Sequence, residues 1–440
     1  MIALDDVLQL QQPLKDGGIR NVNFFNGRLL TSKDLTREQQ ARREADRRLG
    51  LSIGDGVAFG LDVVRDAKHD APASPVLRVA AGLAINRLGQ TLRLVDDTSV
   101  ALSRKFSSGS TATTTCDCVF AACNPIADGV YVAGAGVYLL TIAPAQTSEG
   151  RAPTNGLDPG NVRCADDVTV DALQFRLHAI NPLRYADLDV AAPRFRNLLA
   201  YRCFGTDARD QNGADPLRYD PAIYGLVDDL RAAGGALGDS DVPLAILYWT
   251  AKGLQFVDTW AVRRPVLAPD ALVGLGFQAR RRRLLEAMAM DEQFRRHLAD
   301  LIDATAISDT LVATDHFRFL PPFGLVPLQT DPLRGVAEAV FFAGIVRPPG
   351  LGSAQPTPFI DARLLGALRD EASDRAPTDL TQGEFVWVYR PWQNTKARGD
   401  GQPVQLLLAF ASGLAPDLAP ARADMARFDF SNYSNCCGGS

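Results

Sequence analysis

The chain has 440 residues, a formal net charge of −5, 46% apolar residues and 22% charged residues. That length exceeds one ordinary core and sets an expectation of roughly two to four domains. The mild acidity excludes a general electrostatic pull toward nucleic acid or an anionic membrane, and the 27 Pro and 37 Gly spread along the chain favour many short elements and a β-rich fold.

The N-terminal stretch MIALDDVLQLQQPLKDGG carries acids where a secretion signal needs a basic start and an apolar run. No signal peptide is read, and cytoplasmic synthesis is expected. Residues 1–22 read as an extended arm that leads into the aromatic-Gly loop Phe24-Phe25-Asn26-Gly27-Arg28-Leu29-Leu30. Thr31 or Ser32 caps a helix running to about Leu49, with Asp34 in its first turn. Ten charged residues lie between Lys33 and Arg48, and the apolar positions are few: Leu35, Ala41, Ala45 and Leu49. So narrow a stripe cannot anchor a helix in a broad core. Two readings stay open: a solvated helix laced with ion pairs, or a helix that packs on a partner. Residues 1–50 thus form an arm and a polar helix.

From Gly56 the period changes to strands. Val57–Val63, Val76–Ile85 and Thr91–Val95 are expected strands, with Asn86–Gln90 as a hairpin loop in which Gly89 supplies positive φ. Val130–Val132 and Val137–Ile142 add two more. The twenty uncharged residues between Asp128 and Glu149 are too Gly-rich, and their apolar part too short, for a membrane-spanning helix. Residues 51–145 read as a β-rich domain, an antiparallel sandwich or barrel. A Gly/Pro/Asn/Asp-rich connection over 146–165 marks a boundary, and 146–264 reads as a second β-rich domain. It holds a strand over Val168–Leu177, short helical pieces over 191–238, and a hairpin of Val242–Trp249 with Leu254–Asp258. Residues 265–310 form a helical segment, as one helix or two. The three prolines of residues 317–327 exclude a regular helix there. Residues 311–440 form a mixed C-terminal domain and tail, with a helix near Asp361–Ala372 and strands over Phe385–Tyr389 and Val404–Phe410. The expected class is mostly β with helical insertions, a multidomain α+β chain.

Chemistry is sparse. The four histidines, His69, His178, His297 and His316, show no metal-binding spacing, and HExxH, GxSxG and P-loop patterns are absent. His297, beside Arg295 and Arg296, reads as a surface histidine. Gly274-Leu275-Gly276-Phe277-Gln278-Ala279 matches GxGxxA, but no βαβ unit surrounds it, so it reads as a helix start. Adjacent acids at Asp96-Asp97, Asp166-Asp167 and Asp228-Asp229 point to opposite faces of a strand and read as solvated turns. Arg280–Arg283 would circle a helix and read as a charged surface. Cys116, Cys118 and Cys123 are the candidate metal thiolates, but no fourth ligand is selected by spacing, so small apolar packing is the expected role. No cofactor and no essential metal are expected.

Four blocks together resemble a known family. The first runs Phe25-Asn26-Gly27-Arg28-Leu29-Leu30, Asp34-Leu35, Glu38-Gln39, Arg48-Leu49, Gly56-Val57 and Gly60-Leu61-Asp62-Val63. The others are Ala81–Asn86 with Gly89-Gln90, Phe256–Arg264, and Phe317–Pro322. They resemble uncharacterised proteins encoded in bacterial phage-tail-like contractile injection system clusters, over patches up to about residue 330. The chain departs from that pattern at Ser52–Asp55. The resemblance implies a structural, non-enzymatic subunit at the baseplate or in a fibre-like appendage, partnered by neighbouring tail or baseplate subunits or by its own copies. It also implies a particle released by lysis. The expected assembly interface is Phe24, Phe25, Asn26, Gly27, Arg28, Leu29 and Leu30 with Leu35 and Leu49; the competing reading is that Phe24, Phe25, Leu29 and Leu30 fill the chain's own first domain. The alternative is a surface-binding module for a glycan or protein, using aromatics near Trp387, Tyr389 and Trp392, for which core packing is an equally open reading.

Overall fold

The computed structural model describes residues 16–66, 75–102, 134–154, 163–205, 225–232, 237–266, 277–304, 310–330, 333–345, 357, 359–373, 375–391 and 405–412. The expected strand at Val130–Val132, the cysteines Cys116, Cys118 and Cys123, His69 and Trp392 lie outside these residues. The side chains of Arg280–Arg283 lie outside them too. The fold is a mixed α+β arrangement built mainly of antiparallel sheets, with a polar N-terminal helix and helices in the middle of the chain.

The first helix, α1, spans Ser32–Ile53. Two strand pairs then bend at one corner. β1 (Gly56–Gly60) and β2 (Val63–Arg65) flank Leu61, whose φ is 57°. β3 (Val76–Val79) and β4 (Gly82–Ile85) flank Ala80-Ala81. Each expected long strand is therefore two short ones in different sheets. Gly60 makes the corner possible: a Cβ there would lie 1.9 Å from the Ala81 carbonyl oxygen. Asp97 pins it, accepting from the Ala81 amide at 2.9 Å and from Arg78 at 2.9 Å. With β5 (Thr91–Leu94) and β6 (Thr98–Ala101) the sheets become β1-β4-β5 and β2-β3-β6.

Both small sheets lean on a four-stranded sheet of order β10-β9-β7-β8. Its strands are β7 (Gly136–Thr154), β8 (Arg163–Ile180), β9 (Val242–Thr250) and β10 (Gly253–Asp258). The β9–β10 hairpin is as expected. β7 and β8 extend well beyond the expected strands, and they pair from Val137↔Ile180 to Thr154↔Arg163. The expected boundary at 145/146 therefore falls inside β7, and the 146–165 connection is largely strand. Among the described residues, the layer over 51–102 has no partner layer of its own. It buries Val57, Leu77 and Leu92 against Leu140, Leu244 and Leu247 of the four-stranded sheet. Alternation sends Leu139, Ile246 and Phe256 to the other face, where α2 (Phe195–Cys203) and α3 (Leu226–Ala232) complete a second core.

Helix α4 (Phe277–Ala304) is one continuous helix. It starts where the GxGxxA stretch was expected to start one. Ala289 and Met290 belong to the second core, while Phe294, Leu298 and Ile302 belong to a third. The third core completes the C-terminal unit, so the expected divisions at 264/265 and 310/311 do not separate independent cores. There β12 (Phe323–Pro327), β16 (Leu407–Ser412), β15 (Val386–Pro391) and β13 (Phe359–Ile360) form a sheet in that order. Leu408 and Phe410 face α4, and Ala409 and Ala411 face α5 (Leu365–Ala372). A small pair, β11 (Phe319–Leu320) with β14 (Thr378–Asp379), lies beside it.

His297 corrects the expectation of a surface histidine. It is buried on α4, with its ring 4.8 Å from Phe317 in an edge-on contact, because i, i+3 and i+4 spacing from Phe294 and Gln293 puts it on the core face. Burial first, then the Arg196 charge, holds its pKa well below the ordinary value. The opposite case is Asp291 on the same helix. Burial pushes its carboxyl up to about 7, and its Oδ1 has no hydrogen-bond partner among the described residues. The folded chain therefore keeps a proton on Asp291 that the unfolded chain loses near pH 3.8. Stability falls as pH rises from there to about 7 and stays lowered above it. Asp291→Asn should raise stability at pH 8 by on the order of 1–3 kcal/mol, with the gain shrinking toward pH 4. Urea unfolding as a function of pH measures this, and a gain independent of pH would show that Asp291 is not the titrating group.

Candidate assembly interface

The arm folds back along α1. Arg48 donates to the Gly17 carbonyl at one end, and the Val22 amide donates to Glu38 at 3.3 Å in the middle. Val22 of the arm and Ala41 of α1 are both buried. At the far end the chain reverses. The Arg28 amide donates to the Phe25 carbonyl at 3.2 Å, and Gly27, with φ 91°, turns the loop. Thr31 is the N-cap. Its hydroxyl accepts from the Asp34 amide, and the Asp34 carboxylate accepts from the Thr31 amide, which closes a reciprocal capping box. Arg28 reaches Asp34 at 2.5 Å and lies 5.9 Å from the Phe25 ring. The Thr31 hydrogen bonds first, and Arg28 after them, hold the Asp34 carboxyl below the usual carboxylate range.

These bonds hold the polar groups and leave the apolar ones out. Phe24 is 55% exposed, Phe25 62%, Leu29 88%, Leu30 55% and Leu35 53%. Asn26 and Gly27 are exposed at the turn. The structure brings Phe24 to Leu30 and Leu35 together at one tip. Leu49, 65% exposed, is not part of it. It lies fourteen residues from Leu35, about 21 Å along the helix, near exposed Leu51 and Ile53.

The mount is at the other end of α1. A Cβ on Gly50 would meet the Gly89 carbonyl oxygen at 2.1 Å, and one on Gly89 would meet the Arg47 carbonyl oxygen at 2.1 Å. Helix and hairpin thus cross in backbone contact that any side chain would break. Gly89 has φ 75°, and the buried Asn86 side chain accepts from the Leu88 and Gln90 amides to hold its loop. Arg47 donates to the Leu88 carbonyl at 3.2 Å. Beyond the crossing, α1 diverges from β5 and from the β7–β8 hairpin. The open cleft of about 970 Å³ between them is lined by Arg43, Glu44, Arg93, Gln146 and Asp171 among others.

Other polar clusters are interior. Thr141 donates to Asp241 at 2.9 Å and lies 3.1 Å from His178 Nε2, with all three buried. Burial raises the Asp241 carboxyl, but the His178 and Thr141 hydrogen bonds and Arg176 hold it below its ordinary value. The hydroxyl donates a hydrogen bond to the carboxylate and lies within hydrogen-bond distance of the imidazole. This cluster ties β7, β8 and β9, and nothing in the spacing of the three residues announces it. Of the two readings of Trp387 and Tyr389, a binding surface or core packing, the structure shows core packing. Tyr389 is buried, because its strand alternates between two cores, and Trp387 packs against one of them. Among the described residues no cluster of three His, Cys, Asp or Glu could hold a metal, and no helix is long and apolar enough to cross a membrane.

No family model and no curated protein matches the chain. Among solved structures it is similar to a chain of the baseplate complex from the type VI secretion system, at 13% identity and a TM-score of 0.23. That match covers 67% of this chain and 52% of the other, so the chain spans about half the length of its structural neighbour. A likeness so loose carries no argument about either fold or role.

The mount gives a direct test. Gly50→Ala forces backbone apart at the crossing, at a cost of about 1–3 kcal/mol. The expected result is faster amide exchange and proteolysis within α1, with the β-sheets protected as before. Unchanged protection of α1 would show that the crossing does not hold the helix.

Proposed function

We propose that the chain is a non-enzymatic structural subunit of a contractile, phage-tail-like injection particle, placed at the baseplate or in an appendage. One observation carries the assembly part: an apolar tip of Phe24, Phe25, Leu29 and Leu30, uncovered, on a helix whose base is fixed to the body by glycine contact. Monomers seldom expose such a cluster, and a capped, ion-paired turn is a costly way to display it without a partner. The tail part is supported by the sequence blocks. The residues that carry the resemblance are the tip, the Gly60–Val63 corner, the Gly89 hairpin and the Asp258–Arg264 turn, which are the places where this fold makes its joints. The tip docks on neighbouring tail or baseplate subunits, and the particle leaves the cell by lysis.

Replacing Phe24, Phe25, Leu29 and Leu30 together by Ser tests this. Their exposure means that folding loses little, so circular dichroism and the unfolding midpoint should stay close to wild type. Each side chain buried at an interface contributes roughly 1.5–3 kcal/mol, so co-purification with sheath, tube and baseplate proteins from the native cluster should be lost. A variant that still sediments with the particle would refute the tip as the docking site. A wild-type chain that never sediments with one would refute the tail reading.

A further inference from the structure

The fold leaves a second surface uncovered. β9 pairs with β7 only from Gly136↔Trp249 to Ile142↔Val242. Beyond that point β7 and β8 continue as a two-stranded ribbon to Thr154 and Arg163. Two strands alone are marginal in water, and their open edges invite a covering element. Residues Gln146–Gly150 and Asp166–Thr169 are exposed, and so is Asp171. The exposed charges in these stretches are all acidic, at Glu149, Asp166, Asp167 and Asp171, so that the ribbon stays net negative with Arg151 and Arg163 counted, and Val168 between the acids is 50% exposed.

The arm and helix have the opposite balance. Between Asp16 and Ile53 there are eight Lys or Arg and five Asp or Glu, a surplus of three positive charges. Two of those acids are engaged within the hairpin, Asp34 by Arg28 and Glu44 by Arg47 and Arg48. Lys33 and Arg37 flank the apolar tip, are exposed, and have no ion-pair partner among the described residues. Tip and ribbon therefore complement each other in charge, and each has apolar surface to bury. They do not meet within one chain. The cleft beside α1 lies between helix and ribbon, its lining residues Arg43 and Asp171 pair across it at 3.4 Å, and Phe25, Leu29 and Val168 stay exposed.

We propose that the α1 tip of one copy docks on the acidic β7–β8 ribbon of a second copy of this chain. The contact deepens the assembly reading, since it rests on the tip being an interface. The two patches differ, so it closes either reciprocally in a dimer or head-to-tail in a ring.

Charge reversal separates this from docking on another protein. Light scattering and sedimentation of the purified full chain should show a concentration-dependent oligomer that weakens between about 0.05 and 0.5 M salt. The double variant Lys33→Glu/Arg37→Glu, and separately Glu149→Lys/Asp167→Lys, should each weaken association by about tenfold or more. Combining all four substitutions in one chain should restore it. Circular dichroism melts on each variant check that the fold is intact. A wild type that stays monomeric, an oligomer indifferent to both reversals, or a combined variant that does not recover would each overturn the proposal. Those outcomes leave particle co-purification, the test of the assembly reading, unaffected.

Discussion

One short turn holds the body together: Asp258 to Arg264, from the last residue of β10 onward. Asp258 is buried and accepts from Arg196 of α2 at 3.2 Å, from Gln293 of α4 at 2.8 Å and from its own turn at the Ala261 amide. Thr259 donates to the Val63 carbonyl at 3.2 Å, and Arg263 reaches Asp62 at 2.6 Å and the Gly60 carbonyl at 2.7 Å. The Arg264 side chain donates to the Cys203 carbonyl, and its carbonyl accepts from the Val57 amide at 2.8 Å. Seven residues thus bind both small sheets, two helices and the four-stranded sheet. Arg196 and Asp258 are a buried pair, and removing one partner of such a pair typically costs about 3–5 kcal/mol because the other charge is left dry. The turn is therefore a point where packing errors are expensive, and it fixes the corner from which the hairpin and α1 take their direction.

The interface inherits that rigidity at a distance. The corner sets β4, β4 leads into the Asn86–Gln90 loop, and Gly89 of that loop carries Gly50 of α1. No tip residue contributes to a buried core cluster. Folding energy and docking energy are thereby kept apart. The cores stabilise the body through Leu140, Leu244 and Phe294, while Phe25 and Leu29 remain available for a partner. The capping box and Arg28 do for the tip what a core does elsewhere: they hold its backbone, so that docking orders few new residues.

What the sequence made legible follows the range of the interactions. Helix α1 was readable because its cap, first-turn acid and narrow stripe are local signals, and the β9–β10 hairpin because its turn and apolar run adjoin. The exposure of Leu35 and Leu49 was implicit in ten charges along sixteen positions. The long β7–β8 pairing was not readable. Gly150, Pro153 and the acids of β8 look like turn material, and only the seventeen cross-strand pairs on either side of Gly150 make the segment strand. His297 misled because its two neighbours are arginines, while the residues three and four positions away decide its face. The Asp258–Arg264 turn stood out as a family pattern, yet its role was hidden, since most of its bonds reach groups far away in sequence. Asn197 was silent for the same reason: its side chain accepts from the Arg318 and Phe319 amides and donates to the Phe319 carbonyl, holding the Phe317–Pro322 block from over a hundred residues away.

The size of the tip constrains how it can work. Four buried side chains at roughly 1.5–3 kcal/mol each give on the order of 6–12 kcal/mol of gross gain. Association costs an estimated 4–15 kcal/mol in lost translational and rotational freedom alone. A single tip therefore yields a weak contact at best, and Lys33 and Arg37 add steering and register more than affinity. Weak contacts become durable when several are made at once, because each later one forms at a high effective concentration. A chain that presents one small, rigid tip and one long, acidic ribbon is suited to a closed ring or a multi-subunit collar, where every copy both gives and receives a contact.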